Sequence, residues 1–529
     1  MNEFDFIIVG AGSAGCLLAN RLSANPKNKV LLLEAGGKDK HPNISIPAAF
    51  NKLFQSKYDW NYHTVPQPHM GNRPMYQPRG KVLGGSSSIN AMIYIRGHRS
   101  DYDGWEALGN RGWNYDAVLP YFKKFEQNLR IQDAYHGNDG ELKISDPCEP
   151  HILTKTLFQA AQQAGYQLND DFNGAVQDGF GFYQLTQCDG KRCSAANAFL
   201  ETARHRPNLA VVTNALVQKI LIENSTAKGV SYEHGGKLVT ASAGNAVILT
   251  AGAFNSPHLL MLSGLGDEST LRSFGIEVKK HLPGVGKNLQ DHLLGGVLYH
   301  CKQNITLDAA ERLPNVFGNL WKYLVYKKGP FTSNVAEGGG FVRTLPDLAA
   351  PDMQFHFAPA YYVQHGFKNP KTGNGFGIGA TLITPYSQGE VRLASANPHD
   401  LPLIDPNYFS DERDIQTMLR GSQIAATILQ QPAFDAYRGN IFIPDREDIP
   451  ENEMIEYLRE YSETLYHPVG TCKMGNDAMA VVDEQLQVHG IERLRVADAS
   501  IMPMIVRGNT NAPAMMIAEK AASFLLEQQ

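Results

Sequence analysis

The chain has 529 residues, of which 43% are hydrophobic and 19% are charged, and this length predicts two or three structural units rather than one small domain. The net charge of −5 provides no basic surface for nucleic acid, so a nucleic-acid partner is excluded as the basis of function. No apolar run reaches the length of a transmembrane helix, although peripheral contact with a membrane stays open.

The amino terminus and the cysteines indicate the compartment. Glu3 and Asp5 precede the first apolar stretch, which is unlike a signal peptide. We therefore expect a cytoplasmic protein, with attachment to the periphery of the inner membrane left open. The six cysteines form no C-x-x-C pair and no cysteine–histidine cluster with zinc spacing. Free thiols in a reducing compartment and no metal site are expected.

A glycine pattern near the amino terminus predicts a dinucleotide-binding unit. An apolar strand at 6–9 leads without a spacer into G-x-G-x-x-G at Gly10, Gly12 and Gly15, followed by an apolar helix and a second apolar strand at 30–33. The first glycine permits the tight turn, the second lets backbone approach a pyrophosphate, and the third lets the helix pack closely. Free N–H groups at the helix start favour phosphates. A glycine turn without a ligand is the structural alternative.

An acid at the end of the second strand narrows the choice of dinucleotide. Glu34 follows the glycines by about 20 residues, where such units carry the residue that binds the adenosine ribose. Its carboxylate can accept hydrogen bonds from both ribose hydroxyls and disfavours a 2′-phosphate, so NADP is not expected. Glu34 alone does not distinguish NAD from FAD.

A run of small residues predicts a second ligand contact. A Pro-, His- and Asn-rich stretch at 41–78 predicts an irregular excursion, and five small residues at 84–88 then lead into a predicted apolar helix over 89–95. Small residues let the backbone approach a flat or anionic group, whereas a tight loop without a ligand is the alternative.

The middle of the chain predicts a helix and then β-structure. Residues 101–127 have a helical pattern, and the last of four later strand candidates is apolar throughout, as in a strand covered on both faces. A helix from Asn255 to Leu262 is expected to follow it, with Pro257 in its first turn. The strand candidates are 209–212, 217–222, 229–233 and 246–250.

The pattern changes near residue 300. Alternating residues at 353–357 and 390–393 predict an antiparallel sheet with one covered face, and we interpret 300–463 as a second, substrate-facing unit. The chain then returns with a short strand near 494–499 and a last helix over 513–526. The predicted fold class is α/β, or α+β overall, with a Rossmann-type domain and a second domain on an antiparallel sheet.

Two polar residues near the carboxyl terminus are candidates for chemistry. His467 precedes Pro468 on a predicted loop, and Asn511 lies at the start of the last helix. A neutral histidine can take the hydroxyl proton of an alcohol as general base, and an asparagine amide can donate to the developing alkoxide. The alternatives are a structural histidine and an asparagine that caps its own helix. Motifs of acyl-transfer and P-loop enzymes are absent from the sequence.

Together these motifs resemble the glucose–methanol–choline oxidoreductases over essentially the full chain. The stretches at 96–105 and 118–122 look most like choline dehydrogenases and bacterial primary-alcohol dehydrogenases. The matching stretches are the glycine pattern through Glu34, the loop at 80–90, residues 252–266 with N-S-P-H-L-L-M-L-S-G-L-G, H-P-V-G-T at 467–471, R-V-A-D-A-S at 495–500 and N-T-N-A-P at 509–513.

The resemblance implies FAD and a division of the chain. It implies an FAD-binding domain at 1–299 and 464–529, with a substrate-side excursion near 150–195, and a substrate-binding domain at 300–463. The family's catalytic histidine falls on His467, and its partner position, histidine or asparagine, on Asn511. The implied cofactor-binding residues are Gly10, Gly12, Ser13, Ala14, Gly15, Glu34, Ala35, Val82, Gly84, Gly85, Asn90, Ala91, Met92, Val217, Ala251, Asp498, Ala499 and Ala512.

The resemblance also bears on FAD attachment and on the substrate. Some members attach FAD covalently through a histidine just before the loop asparagine, where this chain has Ile89, so non-covalent FAD is expected. Glu337 lies where choline-oxidising relatives carry an acid, but relatives acting on neutral alcohols carry one too, and a structural salt bridge is the role we expect for it. Tyr466, beside His467, is expected to line an apolar or aromatic substrate pocket.

The expected function is FAD-dependent oxidation of a neutral primary aliphatic or aryl alcohol to an aldehyde, with choline as the alternative substrate. A cyanohydrin lyase is less favoured, because the resemblance gives such members a second histidine where this chain has Asn511. A flavin-binding protein without catalysis is the third reading. The expected partners are a small-molecule alcohol and an electron acceptor, which is oxygen, a quinone or an artificial acceptor.

Overall fold

Two sheets of seven strands each organise the computed structural model of this protein, which describes residues 2–527. In the first sheet the strand order is Leu209–Thr213, Val30–Glu34, Asn2–Val9, Lys237–Leu249, Thr226–His234 and Ala215–Glu223, with Leu494–Val496 also paired to Lys237–Leu249.

The first sheet is a parallel sheet with an antiparallel extension. Five strands run parallel, and Thr226–His234 and Ala215–Glu223 add an antiparallel ribbon to one side. The chain builds outward from Asn2–Val9 first to one side and then to the other, which creates the switch point where open α/β sheets bind ligands. The carboxyl ends of the parallel strands meet at that edge. These observations confirm the predicted fold class.

The second sheet is antiparallel and takes strands from three parts of the chain. Its segment Gly179–Phe182 comes from the excursion near 150–195, and Leu293–Cys301 crosses residue 300. The helix Glu412–Leu429 packs across it, and a separate apolar cluster fills the space between them. The strand order is Arg438–Ile443, Leu293–Cys301, Gly375–Leu382, Met353–Ala358, Gly338–Val342 and Gly179–Phe182, with Glu463–Thr464 also paired to Leu293–Cys301.

The remaining strands form small sheets, and helices surround both large ones. The small-sheet strands are Tyr62–His63 with Tyr76–Gln77, Glu126–Asn128 with Leu142–Ile144, Gln187–Cys188 with Lys191–Arg192, Leu265–Gly266 with Lys280–His281, and Lys287–Leu289 with Gly389–Arg392 and Leu403–Asp405. The α-helices are Ser13–Leu22, Pro42–Ser45, Arg99–Ala107, Tyr115–Phe125, Ile152–Gln163, Glu201–Ala203, Gly252–Leu262, Glu268–Ser273, Leu307–Ala310, Asn315–Tyr326, Glu412–Leu429, Glu451–Tyr461 and Asn511–Glu527.

Three local predictions need correction. The predicted helix at 89–95 is wrong: this segment is irregular, and Met92 has a φ of 63°, which a helix does not accommodate. The helix predicted over 101–127 is interrupted by a turn between Arg99–Ala107 and Tyr115–Phe125. The helix predicted to start at Asn255 begins at Gly252, so Pro257 lies inside it. Pro257 has no N–H to donate to the carbonyl of Ala253, four residues earlier. That carbonyl accepts a hydrogen bond from the hydroxyl of Thr471 instead.

Across residues 2–527, no helix has both the length and the apolar character needed to cross a bilayer.

Candidate active site

One long cavity, with a volume of about 560 Å³, runs from the carboxyl edge of the first sheet to the second sheet. Its walls include 17 of the 22 predicted site residues, namely Gly10, Gly12, Ser13, Ala14, Glu34, Ala35, Gly85, Asn90, Ala91, Met92, Val217, Ala251, Tyr466, His467, Asp498, Ala499 and Asn511; Gly15, Val82, Gly84, Ala512 and Glu337 do not line it.

Five of the 22 predicted site residues therefore lie behind the cavity wall rather than in it. Val82 and Ala512 are buried, and the N–H of Gly84 donates to the carbonyl of Ala11 at 2.7 Å. These three residues pack behind the residues that form the cavity wall. The contacts that keep Gly15 and Glu337 out of the cavity wall are described below.

The three glycines of the amino-terminal pattern differ in what surrounds them. A Cβ on Gly10 would lie 2.7 Å from the carbonyl oxygen of Thr250, and one on Gly15 would lie 1.9 Å from that of Gly10. Both positions are closed by protein backbone. A Cβ on Gly12 would meet nothing nearer than 3.9 Å, so this backbone faces the cavity and leaves room for a phosphate group. The residues present fit a dinucleotide.

Glu34 lies at the same end of the cavity and is buried. Its Oε2 accepts the N–H of Ala11 at 2.9 Å, and its Oε1 accepts the N–H of Gly36 at 2.8 Å. Burial raises the pKa of this carboxyl to about 7, although the two N–H groups oppose the shift. Two backbone donors thus hold the carboxyl group against the cavity.

The small-residue loop packs against the amino-terminal glycines. A Cβ on Gly85 would lie 2.7 Å from the Cα of Gly12, so the two backbones touch at the cavity wall. Asn90 lies further along the loop, and its Oδ1 accepts from the guanidinium of Arg192 at 2.7 Å and from the N–H of Met92 at 3.0 Å. These hydrogen bonds hold the loop in place.

Asp498 ties the last parallel strand to a helix start beside the cavity. Its Oδ2 accepts the N–H of Gly252 at 2.9 Å and the hydroxyl of Ser256 at 2.6 Å, and its Oδ1 accepts the N–H of Ser500 at 2.8 Å. These bonds account for a carboxylate in a buried position.

His467 occupies the other end of the cavity. Its N–H donates to Oδ1 of Asp291 at 2.8 Å, and Oδ2 of Asp291 accepts from the hydroxyls of Tyr408 and Thr464, each at 2.5 Å. Asp291 thus anchors the loop that carries the histidine. Burial, followed by His292 and two other basic side chains, holds the pKa of His467 well below 6.5, so the ring is neutral.

A second histidine defines the tautomer of the first. His467 Nδ1 lies 2.9 Å from Nδ1 of His292, with the rings perpendicular, so one of these nitrogens carries the proton. Burial lowers the pKa of His292 to about 3, while the carbonyl groups of Ile383 and Val506 favour a proton on it. The amide Nδ2 of Asn509, which can only donate, faces Nε2 of His467, so the proton of His467 lies on Nδ1 and is donated to Nδ1 of His292. Nε2 of His467 is then an unprotonated acceptor.

The amide beside His467 belongs to Asn509 and not to Asn511. Nδ2 of Asn509 lies 3.2 Å from Nε2 of His467, and this amide can donate only to an unprotonated nitrogen. Asn511 instead accepts a 2.6 Å hydrogen bond from the hydroxyl of Ser13. The expected pairing of His467 with Asn511 is therefore corrected. Asn511 is the first residue of its helix and joins that helix to the amino-terminal glycine unit.

Tyr466 lines the cavity as predicted and is held by several groups. It has a φ of 71°, and its carbonyl oxygen accepts from the guanidinium of Arg79 at 2.5 Å. Its phenol oxygen lies 2.6 Å from Nδ1 of His365 and 3.2 Å from the hydroxyl of Tyr362. The ring packs edge-on against Phe54. This corner of the cavity is aromatic.

Glu337 is buried beside the second sheet but does not form the expected salt bridge. Its Oε2 accepts the N–H of His151 at 2.7 Å and the hydroxyl of Thr154, and its Oε1 accepts the hydroxyl of Ser333 at 2.6 Å. Burial raises the pKa of this carboxyl. Neutral donors thus bind both carboxylate oxygens, and Glu337 does not line the cavity.

Sequence reasoning missed His292 and Asn509. His292 follows an acid directly before the strand Leu293–Cys301, and this acid–histidine pair was the available signal. Asn509 and Asn511 stand in the same N-T-N triplet, so the sequence signal was present but did not distinguish the two amides. The two amides are distinguished only by the path of the chain into the last helix, which directs Asn509 to His467 and Asn511 to Ser13.

Comparison with known proteins agrees with the fold and the cavity. The family models for the amino-terminal and carboxyl-terminal parts of GMC oxidoreductase match residues 4–294 and 385–518. The chain is 46% identical to an alcohol dehydrogenase [acceptor] of Pseudomonas putida over 99% of this chain and 96% of that protein. It is 44% identical to the mitochondrial choline dehydrogenase of Mus musculus over 99% and 89% of the two chains.

A solved structure gives the same result. The chain superposes with a TM-score of 0.93 on an Aspergillus oryzae RIB40 formate oxidase variant studied for FAD modification, at 29% identity and with 100% and 99% of the two chains covered. The fold and the cavity define a flavin-type oxidoreductase. The chain belongs to the GMC oxidoreductases, which are FAD-dependent enzymes.

Proposed function

We propose that this protein oxidises a neutral primary alcohol to an aldehyde with non-covalently bound FAD. The observation that carries the proposal is the joining of two sites in one cavity: a dinucleotide cradle at Glu34 and an unprotonated histidine nitrogen beside the Asn509 amide. The Pseudomonas putida relative, an alcohol dehydrogenase [acceptor], supports the same reaction class.

His467 is the general base in this proposal. Its Nε2 accepts the proton of the substrate hydroxyl, because its Nδ1 is engaged with His292 and its pKa is low enough to keep the ring neutral. Taking up that proton places a positive charge on a buried ring. The charge is stabilised by the alkoxide that forms next to it and by the His292 acceptor.

Asn509 is the donor that stabilises the alkoxide oxygen. Its Nδ2 lies against the same nitrogen that receives the proton, so a hydroxyl inserted at this point contacts both groups. A neutral amide donor favours the developing negative charge without altering the protonation of His467.

FAD supplies the hydride acceptor for the carbinol carbon when it is bound. The residues that would hold its phosphates and ribose are Gly12, Ser13 and Glu34, and Gly85 to Met92 would lie along its ring. Ile89 lines the cavity immediately before Asn90 and has no nucleophilic atom for a bond to the flavin, which supports non-covalent binding. Flavin released intact by denaturation and filtration tests this part.

The walls near His467 support an uncharged substrate. The strand after His292 contributes Leu294, Gly296 and Leu298 to the cavity. Within the described chain, the carboxylates that line the cavity are Glu34, Asp400, Glu463 and Asp498. Glu463 pairs with His365, and the others bind protein donors. Each of these carboxylates thus already has a partner within the protein.

Choline is the second candidate because of the aromatic corner. Phe54, Tyr362 and Tyr466 line the cavity with aromatic rings of the kind that bind a trimethylammonium group, and the murine relative is a choline dehydrogenase. In this candidate Glu463 would pair with the substrate cation instead of with His365.

An alcohol panel tests the proposal. The FAD-loaded protein is assayed with primary aliphatic alcohols, benzyl alcohol, secondary alcohols and choline, with oxygen and an artificial acceptor in parallel. We expect the highest kcat/KM with uncharged primary alcohols. A preference for choline would favour the second candidate. Lack of flavin reduction by every alcohol would overturn the proposal and leave the lyase and non-catalytic readings.

A further inference from the structure

The helix Asn315–Tyr326 is amphipathic with its apolar side turned outward. Asn315 and Asn319 donate to the carbonyls of Ala309 and Ala310, and Tyr323 is buried. These residues recur every four positions and form the inner face. Helices on globular proteins present polar residues to solvent, so the reversed arrangement requires a reason.

The outer face is a contiguous apolar patch, which we call the outer patch. Its side chains are between 38% and 74% exposed, and they follow one another at helical spacing. Monomeric proteins rarely expose patches of this kind unless they bind something. The outer patch consists of Leu313, Phe317, Leu320, Trp321, Leu324 and Val325.

The charge around the outer patch favours an anionic partner. The segment 302–328 carries five basic and only two acidic residues, whereas the whole chain has a net charge of −5. Within the described residues, Arg312 and Lys328 form no salt bridge, although Arg312 interacts electrostatically with Asp308 and Lys328 with Glu149. Lys322 pairs with Glu149 at the edge of the patch. Apolar and aromatic residues flanked by basic groups are typical of helices that lie in a lipid interface.

We propose that the helix Asn315–Tyr326 docks the protein on the surface of an anionic lipid bilayer through the outer patch. The helix is about 18 Å long and lies along the interface instead of crossing it. Phe317 and Trp321 enter the boundary between headgroups and acyl chains, and Arg312 and Lys328 contact the headgroups.

The packing of the helix brings this surface close to the cavity. It contacts the turn Pro330–Thr332, which in turn contacts Pro47–Leu53. Phe50 in the latter segment lines the cavity. Lys52 also pairs with Glu311 just before the helix, at 3.9 Å. An alcohol dissolved in the bilayer would therefore meet the protein next to a cavity wall.

Trp321 provides a direct probe. Trp105 and Trp113 are buried, whereas Trp321 is 59% exposed. When the FAD-loaded protein is mixed with vesicles of phosphatidylcholine and phosphatidylglycerol, we expect it to float with them, its tryptophan emission to shift to the blue, and brominated lipid to quench that emission. Trp321→Phe should abolish the shift while retaining flotation.

Matched double variants test the surface. Phe317→Ser with Leu324→Ser should reduce vesicle binding at least tenfold, while Leu238→Ser with Val176→Ser, at equally exposed apolar sites, should leave it unchanged. Arg312→Gln with Lys328→Gln should weaken binding to anionic vesicles by roughly fivefold per charge and leave binding to neutral vesicles unaltered. Turnover with a soluble acceptor should be the same in all these variants.

Two results would overturn the proposal. One is the absence of binding to vesicles of any composition, or binding that survives the Phe317→Ser, Leu324→Ser change. The other is a dimer without lipid, by analytical ultracentrifugation, that this same change converts to a monomer, because the outer patch would then be covered by a second copy of the chain.

Discussion

The two ends of the cavity are built by different means. At the nucleotide end, glycine backbones and helix starts form the walls, and the buried carboxyl group of Glu34 is held by two backbone N–H groups. At the other end, which we propose is the catalytic end, side chains from distant segments meet: His292, His467 and Asn509 lie in a hydrogen-bonded series. The first end is fixed by local chain geometry and the second by tertiary contacts. Substitutions at the first end should therefore alter cofactor binding, and those at the second should alter turnover.

The largest contrast is expected between the two asparagines. Asn509→Ala should lower kcat by roughly 10²–10³-fold, because it removes the donor to the developing alkoxide, and should leave FAD content unchanged. Asn511→Ala removes the contact with Ser13 and should affect FAD retention more than kcat. Steady-state kinetics at measured flavin content distinguish the two. A larger loss of kcat in Asn511→Ala would reverse the assignment.

His292 gives the next effect, as a positioning residue that acts through His467. His292→Ala removes the acceptor for the Nδ1 proton, so the base loses its preferred tautomer and kcat should fall by less than the roughly 10²–10⁴-fold attributed to a general base. His292→Gln retains a carbonyl acceptor and should recover part of the rate. Without the second buried ring, the pKa of His467 should also rise, which moves the acid limb of the kcat/KM profile to higher pH. Rates and pH profiles equal to those of the wild type in both variants would argue against this role.

The two ends of the cavity also differ in how much of each could be predicted from the sequence. The glycine unit occupies 25 consecutive residues, Gly10 to Glu34, and its strand–turn–helix–strand geometry follows from local pattern, so both the fold class and this end of the cavity were predictable. The strands of the second sheet were only partly predictable, because Gly179–Phe182 joins it from more than 100 residues away. Only half of the proposed catalytic pair was predictable: His467 stands out next to a proline, but its neighbours come from elsewhere in the chain.

The remaining errors have the same origin. The sequence predicted an ion pair for Glu337, whereas its partners are a helix start and two hydroxyls, which no charge pattern reveals. The helix predicted at 89–95 failed because tertiary contacts with the chain near residue 184 replaced helical ones. A local apolar pattern does not show which tertiary contacts will replace the hydrogen bonds of a helix.

A smaller effect is expected at Glu34. Burial raises its pKa to about 7 in the protein without ligand, and the ionised carboxylate is the stronger acceptor for ribose hydroxyls. FAD binding to the apoprotein should therefore strengthen as the pH rises from 6 to 8, by up to about tenfold per pH unit below the pKa. Glu34→Gln should abolish this dependence and weaken binding. Titration of apoprotein with FAD by fluorescence measures both; the same pH dependence in the variant would assign it to another group.

The raised pKa of Glu34 gives the stability of the apoprotein a pH dependence opposite to that of FAD binding. Because the pKa in the folded state lies above the unfolded value of 4.5, the folded protein binds the extra proton between pH 4.5 and 7. Stability contributed by this group is present at low pH and is lost as the pH rises through about 7. Thermal unfolding of the apoprotein across this range, compared with Glu34→Gln, gives its size.

Anaerobic mixing of the FAD-loaded protein with a primary alcohol tests the central claim, that His467 is the base at the catalytic end, most directly. Stopped-flow absorbance follows the bleaching of the oxidised flavin in the wild type and in His467→Ala at equal flavin content. The proposed mechanism predicts rapid bleaching in the wild type and a rate lower by roughly 10²–10⁴-fold in the variant. Equal bleaching rates in the two proteins would contradict it.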